Sequence, residues 1–317
     1  MLFPEGWNCL KSFVYTSRRL WVKSRLETIS AGMLTKVRLS PKPYGARGGF
    51  TLLEALIVAG IIALLASLIL PVLSNAKGRG YSVVCLNNQR QLALAWNLYA
   101  EDREGYLPYN YGTNETYSTV ASGQFLNWAN NVMTWYLDQD NTNTAQLARG
   151  GLGPYLGRVV SPFRCPGDRA LSEDQRSAGW RERTRSYSMN AMVGHAGTYI
   201  KYGKNVNNPK FKQFVRLGDI PNPAGIFVFI DEHPDSINDG YFLNKPASEP
   251  PFWYDLPGSY HNRGANLAFA DLHIEYRKWV SEGTVYPPEK DAVKLPAEVL
   301  DDTRDYDWLM QRTSIEQ

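Results

Sequence analysis

Residues 47 to 71 read Arg47-Gly-Gly-Phe-Thr-Leu-Leu-Glu-Ala-Leu-Ile-Val-Ala-Gly-Ile-Ile-Ala-Leu-Leu-Ala-Ser-Leu-Ile-Leu-Pro71. From Phe50 to Leu70 there are 21 residues and one charge, Glu54. At a rise of about 1.5 Å per helical residue, the run is about 30 Å long, the thickness of a bilayer's hydrocarbon core. It predicts a transmembrane helix over residues 50–70, and no comparable run occurs elsewhere. Glu54 is the anomaly. A carboxylate inside a membrane helix costs about 2.5–3.5 kcal/mol on insertion scales, so such a group marks function or has a partner.

Charge is distributed unevenly about this run. The formal net charge is +3, but nine of the 34 Lys and Arg and only two of the 31 Asp and Glu lie in residues 1–49. The remainder holds 25 basic and 29 acidic residues, a net of −4. That part has no electrostatic footprint for nucleic acid. Lys36, Arg38, Lys42 and Arg47 precede the apolar run, which predicts a cytoplasmic N-terminus and an exported C-terminal domain. The natural start of translation is Met1 or Met33; from Met33 the segment ahead of Phe50 is 17 residues long.

Beyond Pro71 the helical pattern continues. Tyr81, Val84, Cys85, Asn88, Leu92, Ala95, Trp96 and Tyr99 recur at three- and four-residue spacing and give one mostly apolar face. Gly78 and Gly80 each weaken a helix by up to about 1 kcal/mol relative to Ala, which predicts a bend or loosened turn there. The helix is expected to end near Asp102–Gly105. Downstream, residues 105–317 read as one α+β domain. A short helix is expected over Val132–Leu137, an exposed loop over Asp138–Thr144 and surface chain over Ser172–Arg185. A short strand is expected over Arg185–Asn190 and a buried strand over Gly225–Ile230. A hairpin pairs Asn266–Asp271 with His273–Trp279, and a short helix is expected near Tyr306–Arg312.

The junction Arg47-Gly48-Gly49-Phe50-Thr51-Leu52-Leu53-Glu54 resembles the processing site of type IV prepilins and type II secretion pseudopilins. The resemblance implies a leader over residues 1–49, processing at Gly48, Gly49 and Phe50, and a mature protein beginning at Phe50. Glu54 is then its fifth residue, paired in assembly with a neighbouring subunit's amino terminus. Pro71 falls at mature position 22, where many pilins carry proline. Three further landmarks are similar to the prepilin-like family with an H-X9-DG C-terminal region. They are Cys85-Leu-Asn-Asn-x-x-Gln-Leu with Tyr99-Ala-Glu-Asp and Gly105-Tyr-Leu-Pro108, then Phe163-Arg-Cys-Pro-Gly-Asp168, then His261 with nine residues before Asp271. Leu272 departs from that pattern by standing where the family has glycine. At a turn of positive φ a leucine is strained by about 1–2 kcal/mol.

Candidate chemistry is sparse. The sequence has no Walker A loop, HExxH or GxSxG elbow, so an enzyme is not expected. His195, His233, His261 and His273 are expected in structural hydrogen-bonding roles. The stretch Asp231-Glu-His-Pro-Asp235-Ser-Ile-Asn238-Asp239-Gly240 offers Asp231, Asp235, Asn238 and Asp239 as hard oxygen ligands for Ca²⁺. It fails as an EF-hand loop, with Ile237 third and Pro246 twelfth. The competing reading is an Asx-type turn after a strand. Some secretion pseudopilins hold calcium in this general region, and Asp271 and His273 could add ligands. Cys85 and Cys165 either form a disulfide in an oxidising compartment or stay as separate buried thiols. Trp128, Trp135, Tyr136 and Trp180 are candidates for an exposed aromatic platform binding glycans or a partner.

Together these features predict a pilin-like α+β fold, a long N-terminal helix whose exported half, residues 71–104, packs on an antiparallel sheet domain with the H-X9-DG-like hairpin at 261–279. The function implied is structural. The chain is expected to be a single-pass inner-membrane subunit, processed and N-methylated by a prepilin peptidase and assembled with other pilin or pseudopilin subunits into a pilus or type II secretion-like pseudopilus. The domain would face the periplasm or cell surface. The alternative is a membrane-anchored exported binding module, for example for polysaccharide.

Overall fold

The computed structural model describes residues 49–290, 295–299 and 301–317. Residues 1–48, with Met33, Cys9, Gly48 and the basic residues before the apolar run, lie outside the described residues. The chain divides into two units, Met1–Ala55 and Leu56–Gln317.

In the first unit, Thr51 and Glu54 close a reciprocal cap at the start of a helix. The Thr51 N–H and hydroxyl each donate to Glu54 Oε2 at 2.8 Å, and the Glu54 N–H donates to Thr51 Oγ1 at 3.2 Å. This is a capping box, which satisfies backbone donors that the first turn otherwise leaves bare.

That helix, α1, runs over Leu52–Glu101 without a break at Gly78 or Gly80. Its end at Glu101 agrees with the expected one. From Leu52 to Leu70 every residue is exposed except Ala66, which is half-buried. This 19-residue span is long and apolar enough to cross a membrane. Farther along, the exposed circumference gives way to a single buried face: Cys85, Asn88, Leu92, Ala95, Trp96 and Tyr99, joined by Gln89, Ala93 and Ala100. Val84, assigned to that face by spacing, is exposed instead.

After α1 come α2 (Thr113–Ser122), α3 (Thr144–Arg149) and α4 (Glu173–Ser177), joined by loops and 3₁₀ turns. The strands follow: β1 (Tyr187–Asn190), β2 (Ile200–Lys201), β3 (Lys204–Asn205), β4 (Phe227–Asp231), β5 (Tyr241–Phe242), β6 (Phe252–Trp253), β7 (Gly264–Phe269), β8 (Ile274–Lys278) and β9 (Ala297–Glu298). A last helix, α5 (Arg304–Met310), lies where one was expected. No helix forms over 132–137, where Asn141 and Gln175 side chains take up the backbone groups of Thr134 and Tyr136.

The main sheet has the order β5-β1-β4-β7-β8. It is mixed and not purely antiparallel, because the edge strand β5 pairs parallel with β1 while the other neighbours are antiparallel. β1 and β5 are far apart in the chain, so no tight hairpin forces them antiparallel. Both faces of the sheet are covered. Val228, Phe229, Ala268 and Ala270 join the buried face of α1 in one cluster, and Phe227, Ile230, Leu267 and Phe269 pack with Trp253, Trp279, Tyr306 and Leu309 in another. A register shift lies between Phe227 and Phe229, and the consecutive residues Val228 and Phe229 both belong to the cluster that includes α1.

At the β7–β8 turn Leu272 has φ 73°, so the left-handed backbone that suits glycine is carried by leucine. The surface assignment of 172–185 fails at Gln175, Arg183 and Arg185, which are buried. Arg185 is fully buried and its guanidinium donates to Tyr187 O (2.8 Å), Ser188 Oγ (3.0 Å), Asp239 O (2.6 Å), Asn238 O (3.3 Å) and Asn131 Oδ1 (3.1 Å). Burial lowers its pKa to about 10 against the opposing pull of Glu232 and Asp239. Arg185→Met removes the cation but leaves these acceptors and acids buried. It is expected to destabilise the domain by about 3–5 kcal/mol, measured by chemical unfolding of the purified chain.

Candidate metal centre

Four side chains from four separate segments meet inside the domain: Cys85 from α1, Cys165 from the loop after the 3₁₀ turn Ser161–Phe163, Asp231 from the end of β4, and His261 from the turn before β7. All are buried, and their ligand atoms lie within 4.8 Å of one another. Cys85 Sγ is 3.0 Å from Asp231 Oδ1, Cys165 Sγ is 3.3 Å from His261 Nε2, and His261 Nε2 is 3.6 Å from Asp231 Oδ2.

Each member is held by its local structure. Cys85 comes with the helix, which polar side chains latch to the domain: Gln89 donates to Asn266 O at 2.8 Å and Asn88 to Arg164 O at 2.9 Å. Asp231 accepts the Asn266 N–H at 2.7 Å across the β4–β7 pair. His261 enters a tight turn through two left-handed residues, Asn262 (φ 52°) and Arg263 (φ 68°), and its carbonyl accepts the Tyr276 hydroxyl at 2.7 Å. Beside Cys165 sits Gly167, where a Cβ would press on Cys165 Sγ at 3.3 Å and on His261 Cε1 at 3.4 Å. Its N–H instead donates to that sulfur at 3.3 Å, and the Tyr187 hydroxyl donates to Cys85 Sγ at 3.0 Å.

The electrostatics divide the two thiols. Burial, then Cys165 and the Asp231 charge, push Cys85 well up, so it keeps its proton. Burial also raises Cys165, but hydrogen bonds from Cys85 and His261 outweigh it and the thiol ends below its ordinary value. Burial raises Asp231 in spite of His261. For His261 burial acts downward, yet Cys165 and Asp231 prevail and its pKa rises. A cysteine beside a histidine serves nucleophilic enzymes, but the arrangement here differs. Asp231 approaches the same Nε2 as Cys165, and Nδ1 has no hydrogen-bond partner among the described residues, so no carboxylate orients the ring from behind. The donor set, two sulfurs, one imidazole nitrogen and one carboxylate, is that of a metal ligand cage.

The sequence-derived candidates fall elsewhere. Cys85 and Cys165 are free cysteines, not the disulfide considered above; their sulfurs face Asp231 and His261. The proposed calcium set does not gather. Asp235 accepts the Glu289 and Lys290 N–H groups at 2.6 and 2.8 Å, Asn238 Oδ1 accepts the Asp239 N–H at 2.5 Å, and Asp239 accepts from the Thr113 hydroxyl and the Tyr241 N–H at 2.7 and 2.8 Å. Local backbone N–H groups claim Asn238 and Asp239, as in an Asx-type turn, whereas Asp235 is held by a distant segment; only Asp231 joins a cluster. Asp271 pairs with His273 at 2.5 Å on the far end of β7 from His261. The nine-residue spacing between His261 and Asp271 therefore spans a strand, about 20 Å at 3.4 Å per residue, and not a site. Of the aromatic set, Trp128 and Trp135 are buried, Trp180 is half-buried and Tyr136 is exposed, so they form no open platform.

His261 was missed as a ligand because its partners stand at no regular spacing. The available hint was that Cys85, Cys165 and His261 occupy the three short motifs quoted above. Comparison with protein families, curated proteins and solved structures finds no match for this chain. Asp231→Ala leaves the Asn266 N–H without its acceptor. With chelator present throughout, it is expected to lower the unfolding free energy by about 1–3 kcal/mol, read from the denaturant midpoint; an unshifted midpoint would show that the carboxylate does not hold the strands.

Proposed function

We propose that this chain is a prepilin-like, single-pass membrane subunit whose domain is exported and which assembles into a pilus or type II secretion-like pseudopilus, acting structurally and not as an enzyme. The observation that carries the reading is the two-part character of α1. It is apolar and exposed all round from Leu52 to Leu70, then buried along one face from Cys85 to Ala100. A helix exposed on every apolar side suits lipid; a helix with one buried face suits docking on a domain. Gly49 and Phe50, exposed immediately ahead of α1, are open to a peptidase. Cleavage there is tested by mass spectrometry of the membrane-extracted chain, expected to begin at Phe50, with Gly49→Val blocking maturation. A start elsewhere removes the reading.

Glu54 also has a purely local role as the reciprocal cap of Thr51. Two variants separate the roles. Glu54→Gln keeps a capping-box residue but removes the charge, whereas Glu54→Ala removes both. Charge pairing between subunits predicts that both variants lose filament assembly, seen by surface shearing and electron microscopy. Loss with Ala but not Gln assigns Glu54 to the cap alone.

A second reading, an exported binding module, draws on one feature. A cleft of about 520 Å³ is lined by Tyr99, Tyr106, Tyr109, Arg103, Asp102 and His195, with Arg216 lying 3.8 Å over the Tyr106 ring. Tyrosines beside charged groups suit sugar hydroxyls and ring faces. This reading expects the full chain to be retained on polysaccharide columns and Tyr106→Ala to be retarded several-fold less; passage of the unaltered chain without retardation rejects it.

A further inference from the structure

We propose that Cys85, Cys165, Asp231 and His261 form a closed, four-ligand binding site for Zn²⁺ that fastens α1 to the sheet. A tetrahedral zinc site with bonds of about 2.0–2.3 Å has ligand–ligand edges of about 3.3–3.8 Å. The separations of 3.0, 3.3 and 3.6 Å lie on or near those edges, and all four ligand atoms fall within 4.8 Å of one another. Two sulfurs and an imidazole select a borderline-soft cation over Ca²⁺ or Mg²⁺, which take oxygen ligands.

The surroundings match a metal's needs. The Tyr187 hydroxyl and the Gly167 N–H donate to the two sulfurs, and the Asn266 N–H donates to Asp231 Oδ2, so three of the four ligands are oriented by an outer hydrogen bond. Among the described residues no Lys or Arg hydrogen-bonds to these four side chains. Among the described residues, the one cationic side chain within hydrogen-bond or ion-pair distance of these three buried acids is the His261 imidazole. A divalent ion supplies the missing positive charge as the thiols release their protons to solvent.

The role follows from where the ligands stand. With four protein ligands the site has no open position for a substrate, so the metal is structural. It would tie the helix to a loop, to a central strand and to a turn that are separate in sequence. The helix supplies Cys85, so the ion would join α1 to the three other segments alongside the Asn88 and Gln89 hydrogen bonds. This inference does not depend on pilus assembly, because it concerns how the domain grips its helix.

The test uses the full chain, purified in detergent under reducing conditions, loaded with zinc sulfate and dialysed. Elemental analysis is expected to find one zinc per chain. Cobalt substitution is expected to produce the sulfur-to-cobalt charge-transfer band and the intense visible bands of a tetrahedral site. Cys85→Ser and Cys165→Ser should lose the metal, while His273→Ala, which alters an exposed histidine outside the set, should retain it. The cobalt spectrum of the unaltered chain reads the ligands even where a variant fails to fold. Both thiols should resist alkylation until chelator is added. Substoichiometric zinc on the unaltered chain, a cobalt spectrum without sulfur charge transfer, or a Cys85–Cys165 disulfide in chain trapped with iodoacetamide at lysis would each overturn the proposal.

Discussion

The carboxylate of Asp231 has no exposure to water, and the interior around it is arranged to make that tolerable. A buried carboxylate without partners is among the most costly groups a fold can contain. Asp231 receives a hydrogen bond from the Cys85 thiol, another from the Asn266 N–H, and the charge of the His261 ring. Those contacts reach a helix, a neighbouring strand and a turn. A single acid at the end of β4 thus sets the position of three other elements, each of which must arrive for the acid to be satisfied.

The layers around it follow from residue size. β4 is buried over its whole length, as a strand covered on both faces must be. In β7, Ala265, Leu267 and Phe269 belong to the C-terminal cluster, while Ala268, and Ala270 just past the strand, belong to the cluster that includes α1. Bulk on one side fills the space beside Trp253, Trp279 and α5. A register shift falls at Phe227–Phe229, and Val228 and Phe229 both join the cluster that holds the buried face of α1. The polar latches from Asn88 and Gln89 then fix how the helix is rotated and how far it slides, which apolar contact alone leaves loosely defined.

α1 faces two environments with one backbone. Its apolar N-terminal part is exposed on all sides, and its later part exposes Val83, Val84, Leu94 and Leu98 while burying another face. Scattered exposed apolar residues are ordinary on a surface, whereas a 19-residue band is not. Glu54 interrupts that band only near its beginning, where the helix has bare N–H groups and the Thr51 pairing gives the carboxylate local partners.

Features governed by neighbours in the chain were legible from the sequence. The long helix, its apolar span and its end at Glu101 follow from periodicity. The β4 run, the β7–β8 hairpin and the terminal helix follow from short apolar and alternating patterns, all interactions within a few residues. What only the tertiary structure decided depends on residues distant in sequence. The parallel pairing of β5 with β1, the burial of Arg185 and Trp128, and the dispersal of Asp235, Asn238 and Asp239 to separate backbone donors all arise there. So does the meeting of Cys85, Cys165, Asp231 and His261. A ligand set assembled from a helix, a loop, a strand end and a turn has no characteristic spacing, because chain folding and not local geometry brings its members together.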